Sequence, residues 1–401
     1  MGKGEEILVV DVGTTKITAL VGEEREGNLW VTGLGISATQ GLRRGAIINI
    51  EEATQSIKNA IDKALSQAKV TPSFIFTSIA GSHIKTISGM GVIALKNKEV
   101  TPQDVEEVLQ SAQMVDLPAN KALLHVIPQE FIVDQTRDIL HPVGMVGVRL
   151  EAHVQLITAE RAHIQNLIKC FENLGLEVDG VLFQGLASAE SVLTSEEKDL
   201  GVLLIDFGGG TSDLVIYKQG VLRYATSIPV GGELLTNDIA ICLKTSRSEA
   251  ERLKIEKGVC LRELASEEEV VEVPGIGNRP STRISKKILA EILEERVREL
   301  LTLIESEVKK YINTYYINSV VLTGGSSLIP GLIYLTDQIL DLPTRIGYPE
   351  RLPGLTEEIY HPQFATAVGM LLYAYNNLVQ SLEKKPTRRG LLEKIKEILK
   401  I

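Results

Sequence analysis

Two aspartates stand at the ends of short apolar runs, and each is followed by a small-residue turn and a threonine. The first is Asp11, in ILVVDVGTTKITAL (Ile7–Leu20); the second is Asp206, in VLLIDFGGGTSDL (Val202–Leu214). An acidic residue at a strand end can hold a metal ion through water. Consecutive glycines let the backbone take positive φ and bring bare N–H groups against an anion. In the second copy the turn is Gly208, Gly209, Gly210 and Thr211, and it opens another strand rather than a helix. Leu214–Tyr217 and Val221–Ala225 alternate around Gln219-Gly220 as a hairpin does. A Rossmann or P-loop turn would open a helix, and GxxxxGK[ST] is absent. Taken alone, this motif fits a phosphate turn and a plain β-turn equally well. The first copy changes that balance. Asp11 matches Asp206, Gly13 matches Gly208, and Thr15 lies near the place of Thr211. Two such hairpins some two hundred residues apart suggest two related halves with a nucleotide clamped between them. A third segment, Ser319–Leu332 (SVVLTGGSSLIPGL), is a strand ending in Gly324-Gly325. There the glycines would let backbone approach an adenine or ribose. Ser326-Ser327 reads as a helix N-cap, with the helix start facing the phosphates.

The surrounding pattern supplies elements to position these turns. Leu29–Ile36 and Ala46–Ile50 read as strands, Glu51–Ala68 as an amphipathic helix, and Phe74–Ala80 as a strand ending in Gly81. Residues 82–160 form a segment of their own. It has a strand pattern at Ile84–Leu95, a helix opened by Thr101-Pro102, and strands at Ala122–Val133 and Val148–Ile157 around a loop at Asp138–Gly147. About eighty residues suffice for a separate small α+β core. Ala162–Leu174 and Ala187–Leu193 read as helices flanking a strand at Val178–Phe183. After the second hairpin come helices from Gly231-Gly232 through Lys244, at Arg247–Lys257, and over the long Ile284–Ile312 pattern. Phe364–Tyr375 is a helix rich in Ala and Gly.

Composition narrows the function classes. At 401 residues two lobes are expected. The net charge of −10 argues against general nucleic-acid binding. Cys170, Cys242 and Cys260 show no CxxC spacing, and the six histidines show no HExxH, so metal-hydrolase chemistry has little support. No stretch reaches the ~18–20 apolar residues of a spanning helix, and the start MGKGEEILVVD is not a signal sequence. The chain reads as cytosolic.

The three segments, in this order, resemble the actin-like ATPase superfamily. The α+β insert narrows the resemblance to the FtsA family of bacterial cell-division proteins or its pilus-assembly relative PilM. The resemblance implies a two-lobed α/β fold of the actin and Hsp70 type. Its divisions would be first-lobe core at 1–81 and 161–200, the insert at 82–160, and second-lobe core at 201–236 and 318–376. A small subdomain would occupy 237–317, followed by a linker at 377–389 and an amphipathic helix at 390–401. It implies ATP and Mg²⁺ as ligands. Gly13, Thr14, Thr15 and Lys16 would hold the β and γ phosphates, with Gly208, Gly209, Gly210 and Thr211 opposite and Asp11 and Asp206 on the metal through water. Gly231 and Gly232 would approach the phosphates or sugar, Glu251 and Lys254 the ribose, and Gly324, Gly325 and Ser326 the adenine. Gln184 stands where related proteins carry a water-orienting Glu or Gln. As a neutral amide it is a poor proton acceptor, so turnover should be slow. A helix start at Gln184, and a plain i,i+3 ion pair for Glu251 and Lys254, account for the same residues.

The C-terminus carries a second signal. Residues 381–401 hold seven basic and three acidic side chains, on a chain that is otherwise strongly acidic. Leu391, Leu392, Ile395, Ile398 and Leu399 fall within about a third of a helix circumference. A basic amphipathic end reads as an anchor to an anionic membrane surface; a helix packed on the body is the alternative. The resemblance adds self-assembly into filaments, other division proteins bound through the insert, and the C-terminal peptide of FtsZ on the far lobe. Arg279, Arg283, Lys286 and Lys287 form a basic cluster there. A peripheral place on the cytoplasmic membrane face at the division site would follow. A sugar or acetate kinase on the same fold would need a catalytic Asp and a substrate-gripping insert, and no such set is present.

Overall fold

The computed structural model describes residues 6–96, 98–277 and 279–383. Its frame is a pair of five-stranded sheets built to one plan. In the first, Glu6–Val12, Lys16–Arg25 and Asn28–Ala38 form an antiparallel meander, and Phe74–Ile79 and Gly180–Phe183 extend it in parallel beyond Glu6–Val12. In the second, Val202–Phe207, Ser212–Lys218 and Val221–Ile228 repeat the meander, and Ser319–Thr323 and Thr344–Ile346 repeat the parallel extension. The central strand of each sheet is buried along nearly its whole length, so both read as unbroken Val, Ile and Leu runs. Each carries an aspartate as its next-to-last residue, and the chain reverses just beyond it. The mixed α/β two-lobed fold expected from the sequence is therefore present.

Helices bury these sheets. Ile50–Ala68 lays Ala53, Ile57, Ala60, Ile61 and Ala64 on the first sheet; Asn49 accepts the Glu51 and Glu52 amides as its cap. Two helices pass between the lobes, Gln184–Val192 and Ala365–Glu383, and they pack tightly against each other. A Cβ on Gly369 would overlap the Ala187 carbonyl, so glycine is what allows the backbones to touch. The second of these helices continues to Glu383, so 377–383 is helix where the sequence reading placed linker. No Gly or Pro interrupts the chain between Gly369 and Pro386. The remainder of that linker and the amphipathic segment with Leu391, Leu392, Ile395, Ile398 and Leu399 lie outside the described residues.

Residues 85–160 build the insert. Lys85–Ala94, Arg149–Glu160, Lys121–Val133 and Thr136–Ile139 form a sheet in that order, and Pro102–Ala112 buries Val108 and Ala112 against it. Thr101 and Asp104 cap this helix reciprocally, as Thr-Pro at its start required. The edge strand Thr136–Ile139 runs into the stretch read as loop. In the second lobe, Gly232–Leu243, Arg247–Lys257, the hairpin Val270–Val273 with Thr282–Ser285, and the long helix Lys286–Tyr315 share one apolar core.

Candidate functional site

The two aspartate turns face one another across the cleft between the sheets. Gly208 N–H donates to the Thr211 carbonyl at 3.0 Å and closes the second turn over four residues. A Cβ on Gly209 would overlap the Thr15 side chain, and one on Gly210 would sit 2.6 Å from Thr14 Oγ1. The turns are thus in direct contact, and glycine is what lets them close.

Each aspartate is fixed by hydroxyls from neighbouring elements. Ser78 Oγ donates to Asp11 Oδ1 at 2.8 Å, and Gln184 Nε2 donates to the same oxygen at 3.0 Å. Gln184 Nε2 also reaches Ser78 Oγ at 3.0 Å and the Val12 carbonyl at 3.2 Å. Gln184 is the first residue of its helix, as the structural reading had it, and its side chain is buried beside Asp11. On the other side, Ser188 Oγ and Thr366 Oγ1 both donate to Asp206 Oδ2, the latter at 3.1 Å. Ser188 and Thr366 come from the two crossing helices, so helix packing between the lobes sets the Asp206 carboxylate.

A third carboxylate joins them. Asp213 pairs directly across from Asp206 in the hairpin register and is buried. It was not among the residues selected from sequence. The four-residue turn held the signal, since such a turn places residue i+7 opposite residue i. Burial, first, and the neighbouring Asp206, second, hold the Asp213 carboxyl well above the usual carboxylate range. Burial also raises Asp206, and it pushes Asp11 up to about 6 against the Ser78 hydrogen bond and Lys16. The Lys16 ammonium is pulled down to about 8 by burial, although Asp11 and Asp206 oppose the shift. Its Nζ is buried without a hydrogen-bond acceptor and lies 4.1 Å from the Phe364 ring centroid. Asp213 Oδ1 is likewise buried and unpartnered. Asp11 and Asp206 flank the orphaned Lys16 ammonium, and Asp213 adjoins both carboxylates; beneath the two small-residue turns this arrangement suits an anion, with a cation held through water.

The remaining residues selected from sequence gather at one side of this cleft. Lys254 Nζ donates to Glu251 Oε2 at 2.8 Å, to Thr236 Oγ1 at 2.9 Å and to the Gly232 carbonyl at 3.2 Å. Lys254 is buried, so the pair is not a plain solvated ion pair. Ser326 Oγ donates to the Gly208 carbonyl at 3.2 Å and abuts Gly232. Gly324, with φ of +86°, packs on Asp206, while Gly325 is exposed at the cleft edge. One detail adds to the sequence reading and one departs from it. The Gly232 and Glu233 amides donate to the Gly208 and Gly209 carbonyls at 3.0 and 2.8 Å, so this helix start braces the second turn. Ser326-Ser327 does not cap a helix. The next one, Leu332–Leu340, is capped by Gly331 at φ of +94°, because Pro330-Gly331 delays it.

The basic cluster lies apart, across the second-lobe hairpin and the start of the long helix Lys286–Tyr315. Lys286 pairs with Glu269 at 2.9 Å and Lys287 with Glu267 at 2.5 Å, while Arg279 and Arg283 are exposed. Arg283 lines an open cleft of about 490 Å³ with Glu267, Val270, Glu272, Ile284 and Ser285. Among the described residues no helix is long and apolar enough to cross a membrane.

Comparison with known proteins gives a consistent result. Residues 203–369 match the family model described as cell division protein FtsA, and residues 81–158 match the SHS2 domain inserted in FtsA. The chain is 41% identical to the cell division protein FtsA of Pseudomonas aeruginosa, over 92% of this chain and 89% of that protein. It is 36% identical to FtsA of Escherichia coli K12, over 95% and 94%. Among solved structures, a PilM–PilN type IV pilus biogenesis complex aligns with a TM-score of 0.66 at 16% identity, covering 92% of this chain and 98% of that one. MreB5 of Spiroplasma citri bound to AMPPNP aligns at 0.57 and 15% identity, covering 96% and 99%.

Proposed function

The chain belongs to the FtsA family of cell-division proteins, and from that premise we propose that it binds ATP with Mg²⁺ in the cleft between the two aspartate turns. The observation that carries this reading is the buried, acceptorless Lys16 ammonium beside Asp11 and Asp206. In this reading Lys16, Thr14, Thr15 and the amides of the two turns hold the phosphates, and Asp11 and Asp206 hold the cation through water. Glu251 and Lys254 face the ribose, and Gly324, Gly325 and Ser326 line the base. The ligand would supply a phosphoanhydride bond and a divalent charge. Gln184, its amide nitrogen committed to Asp11, would present its amide oxygen to a water. An amide oxygen orients water but takes no proton, so hydrolysis is slow.

We further propose that the protein assembles on the inner membrane face and ties the FtsZ ring to it. The basic amphipathic pattern at 390–401 supports the attachment, and the 36–41% identical relatives support the division role over a pilus platform. A twelve-residue helix is marginal in water and should form mainly on lipid. A single copy should therefore bind reversibly, and a row of copies on a filament should gain by multivalency. Ile395→Glu is expected to release the protein from anionic vesicles in flotation while leaving ATP binding intact. Equal flotation of that variant and the wild type would remove the anchor.

For FtsZ, the proposed surface is the exposed pair Arg279 and Arg283 beside the second-lobe cleft; it would receive the peptide's acidic and apolar side chains. Lys286 and Lys287, already neutralised by glutamates, would contribute less. Reversing both arginines should weaken peptide binding in fluorescence polarisation and reduce its salt dependence, since rim charges act on association. Unchanged binding would eliminate the patch.

A further inference from the structure

Gly81 follows the strand Phe74–Ile79 and starts the passage into the insert, whose first strand is Lys85–Ala94. Its φ of +129° is one that residues with a side chain rarely adopt, so this hinge is a defined conformation rather than a loose link. The Gly81 amide donates to Ser227 Oγ at 3.0 Å, in the interior. Ser227 lies directly across from Asp213 in the sheet register and is only 1% exposed. Its side chain shares a sheet face with Asp213, where the hydroxyl opposes the upward shift of that carboxyl. A serine hydroxyl has one proton and accepts with its lone pairs. Gly81 N–H donates to Ser227 Oγ, so the hydroxyl's own proton is the one left to face Asp213 across the strand pair. The far oxygen of Asp213, Oδ1, is buried without a partner.

The same hinge touches the other turn. Gly45 N–H donates to Thr14 Oγ1 at 3.1 Å, and a Cβ on Gly45 would come within 2.7 Å of the Ala80 carbonyl. Just beyond the hinge, Thr86 Oγ1 accepts the Ala225 amide at 3.2 Å and donates to the Ala225 carbonyl. The insert is thus clamped to the second sheet next to Ser227, and the first turn of the cleft reaches the hinge through Gly45.

We propose that Ser227 is a positioning residue that couples occupancy of the cleft at Asp213 to the setting of the inserted subdomain. The inference rests on the reading that the cleft takes a Mg²⁺–nucleotide. A ligand drawing on the Asp213 carboxylate displaces it. The shared hydroxyl then either follows, and moves the Gly81 amide, or leaves that amide buried without an acceptor. Either response is transmitted to the insert.

Hydrogen–deuterium exchange of the full chain tests this, with and without saturating Mg²⁺–AMPPNP. Occupancy is checked separately with a fluorescent nucleotide analogue. In the wild type, exchange over residues 79–86 should change by about threefold or more on loading, and in Ser227→Ala that change should vanish. Ser227→Thr, which keeps the hydroxyl, should restore it. If Ser227→Ala fails to fold by circular dichroism, Ser227→Cys takes its place, since a thiol is a weak acceptor, and the same loss is expected. A full wild-type response in a nucleotide-loaded Ser227→Ala or Ser227→Cys protein overturns the coupling. So does a wild type that loads nucleotide with no change over 79–86, or a folded Ser227 variant that no longer loads at all. A wild type that takes up no nucleotide overturns the cleft reading, and the coupling with it.

Discussion

Gly209→Val should abolish ATP binding in isothermal titration, while the variant remains folded at 25 °C. The reason is steric at two levels. A Cβ at this position already overlaps Thr15 of the facing turn, and valine adds two further methyls where the turns meet. The cleft can accommodate them only by spreading, which removes the opposed backbone amides that a phosphate needs. The Gly209 carbonyl also accepts the Glu233 amide at 2.8 Å, so a shifted turn loosens the start of the helix Gly232–Leu243. That helix start is a local brace, and the sheets beneath it have their own cores, so the fold should survive with a lowered melting temperature. Binding at micromolar affinity is worth about 8 kcal/mol, and losing the phosphate contacts should remove most of it. Unchanged affinity in this variant would mean that the nucleotide, if bound, lies elsewhere.

The parts of this site visible in the sequence were those that repeat. Asp11 and Asp206 stood out because the same strand, acid, turn and threonine occur twice, and the two sheets prove to be copies of one plan. Periodicity gave the helices for the same reason: Arg247–Lys257 and Ile50–Ala68 each bury one stripe. The hydroxyl groups that hold the aspartates were not visible. Ser78, Ser188 and Thr366 belong to no motif; they matter because a parallel strand and two crossing helices bring them to the carboxylates. Asp213 was within reach of local reasoning, since only the turn length was needed to place it opposite Asp206. The misplaced cap at Ser326 has a local cause as well. A serine pair is a good cap, but Pro330-Gly331 ends the turn five residues later and sets the true helix start. The charge cluster at 279–287 was legible as charge and illegible as surface. Its glutamate partners come from the neighbouring residues 267–269, which the hairpin brings alongside.

The buried charges make the nucleotide-free protein sensitive to pH in a definite way. Asp11 titrates near 6 in the fold against 3.8 for the ordinary side chain, because burial disfavours its charge. Between about pH 4 and 6 the folded protein keeps a proton that the unfolded chain has lost, so stability falls as pH rises through that window. Lys16 titrates near 8 against 10.5, again through burial. Between about pH 8 and 10.5 the unfolded chain holds the proton that the fold has released, so stability rises with pH there. These two groups, each worth roughly 3 kcal/mol, produce a trough between about pH 6 and 8, and Asp206 and Asp213, also raised by burial, add to the loss on its acid side. A ligand bearing phosphate and a divalent cation supplies partners for the charged forms, so its stabilising effect should be greatest within that trough. Lys16→Met separates the contributions. It removes a buried ammonium that has no acceptor, and so should abolish the rise above pH 8 without lowering the melting temperature of the nucleotide-free protein at neutral pH. It should also weaken ATP binding about 10- to 100-fold, the worth of one charge-assisted hydrogen bond to an anion. Thermal unfolding from pH 5 to 9.5, with and without Mg²⁺–ATP, reads all three effects in both proteins. A melting-temperature gain from Mg²⁺–ATP that is equal at every pH, and equal in Lys16→Met, would show that these charges do not face the ligand.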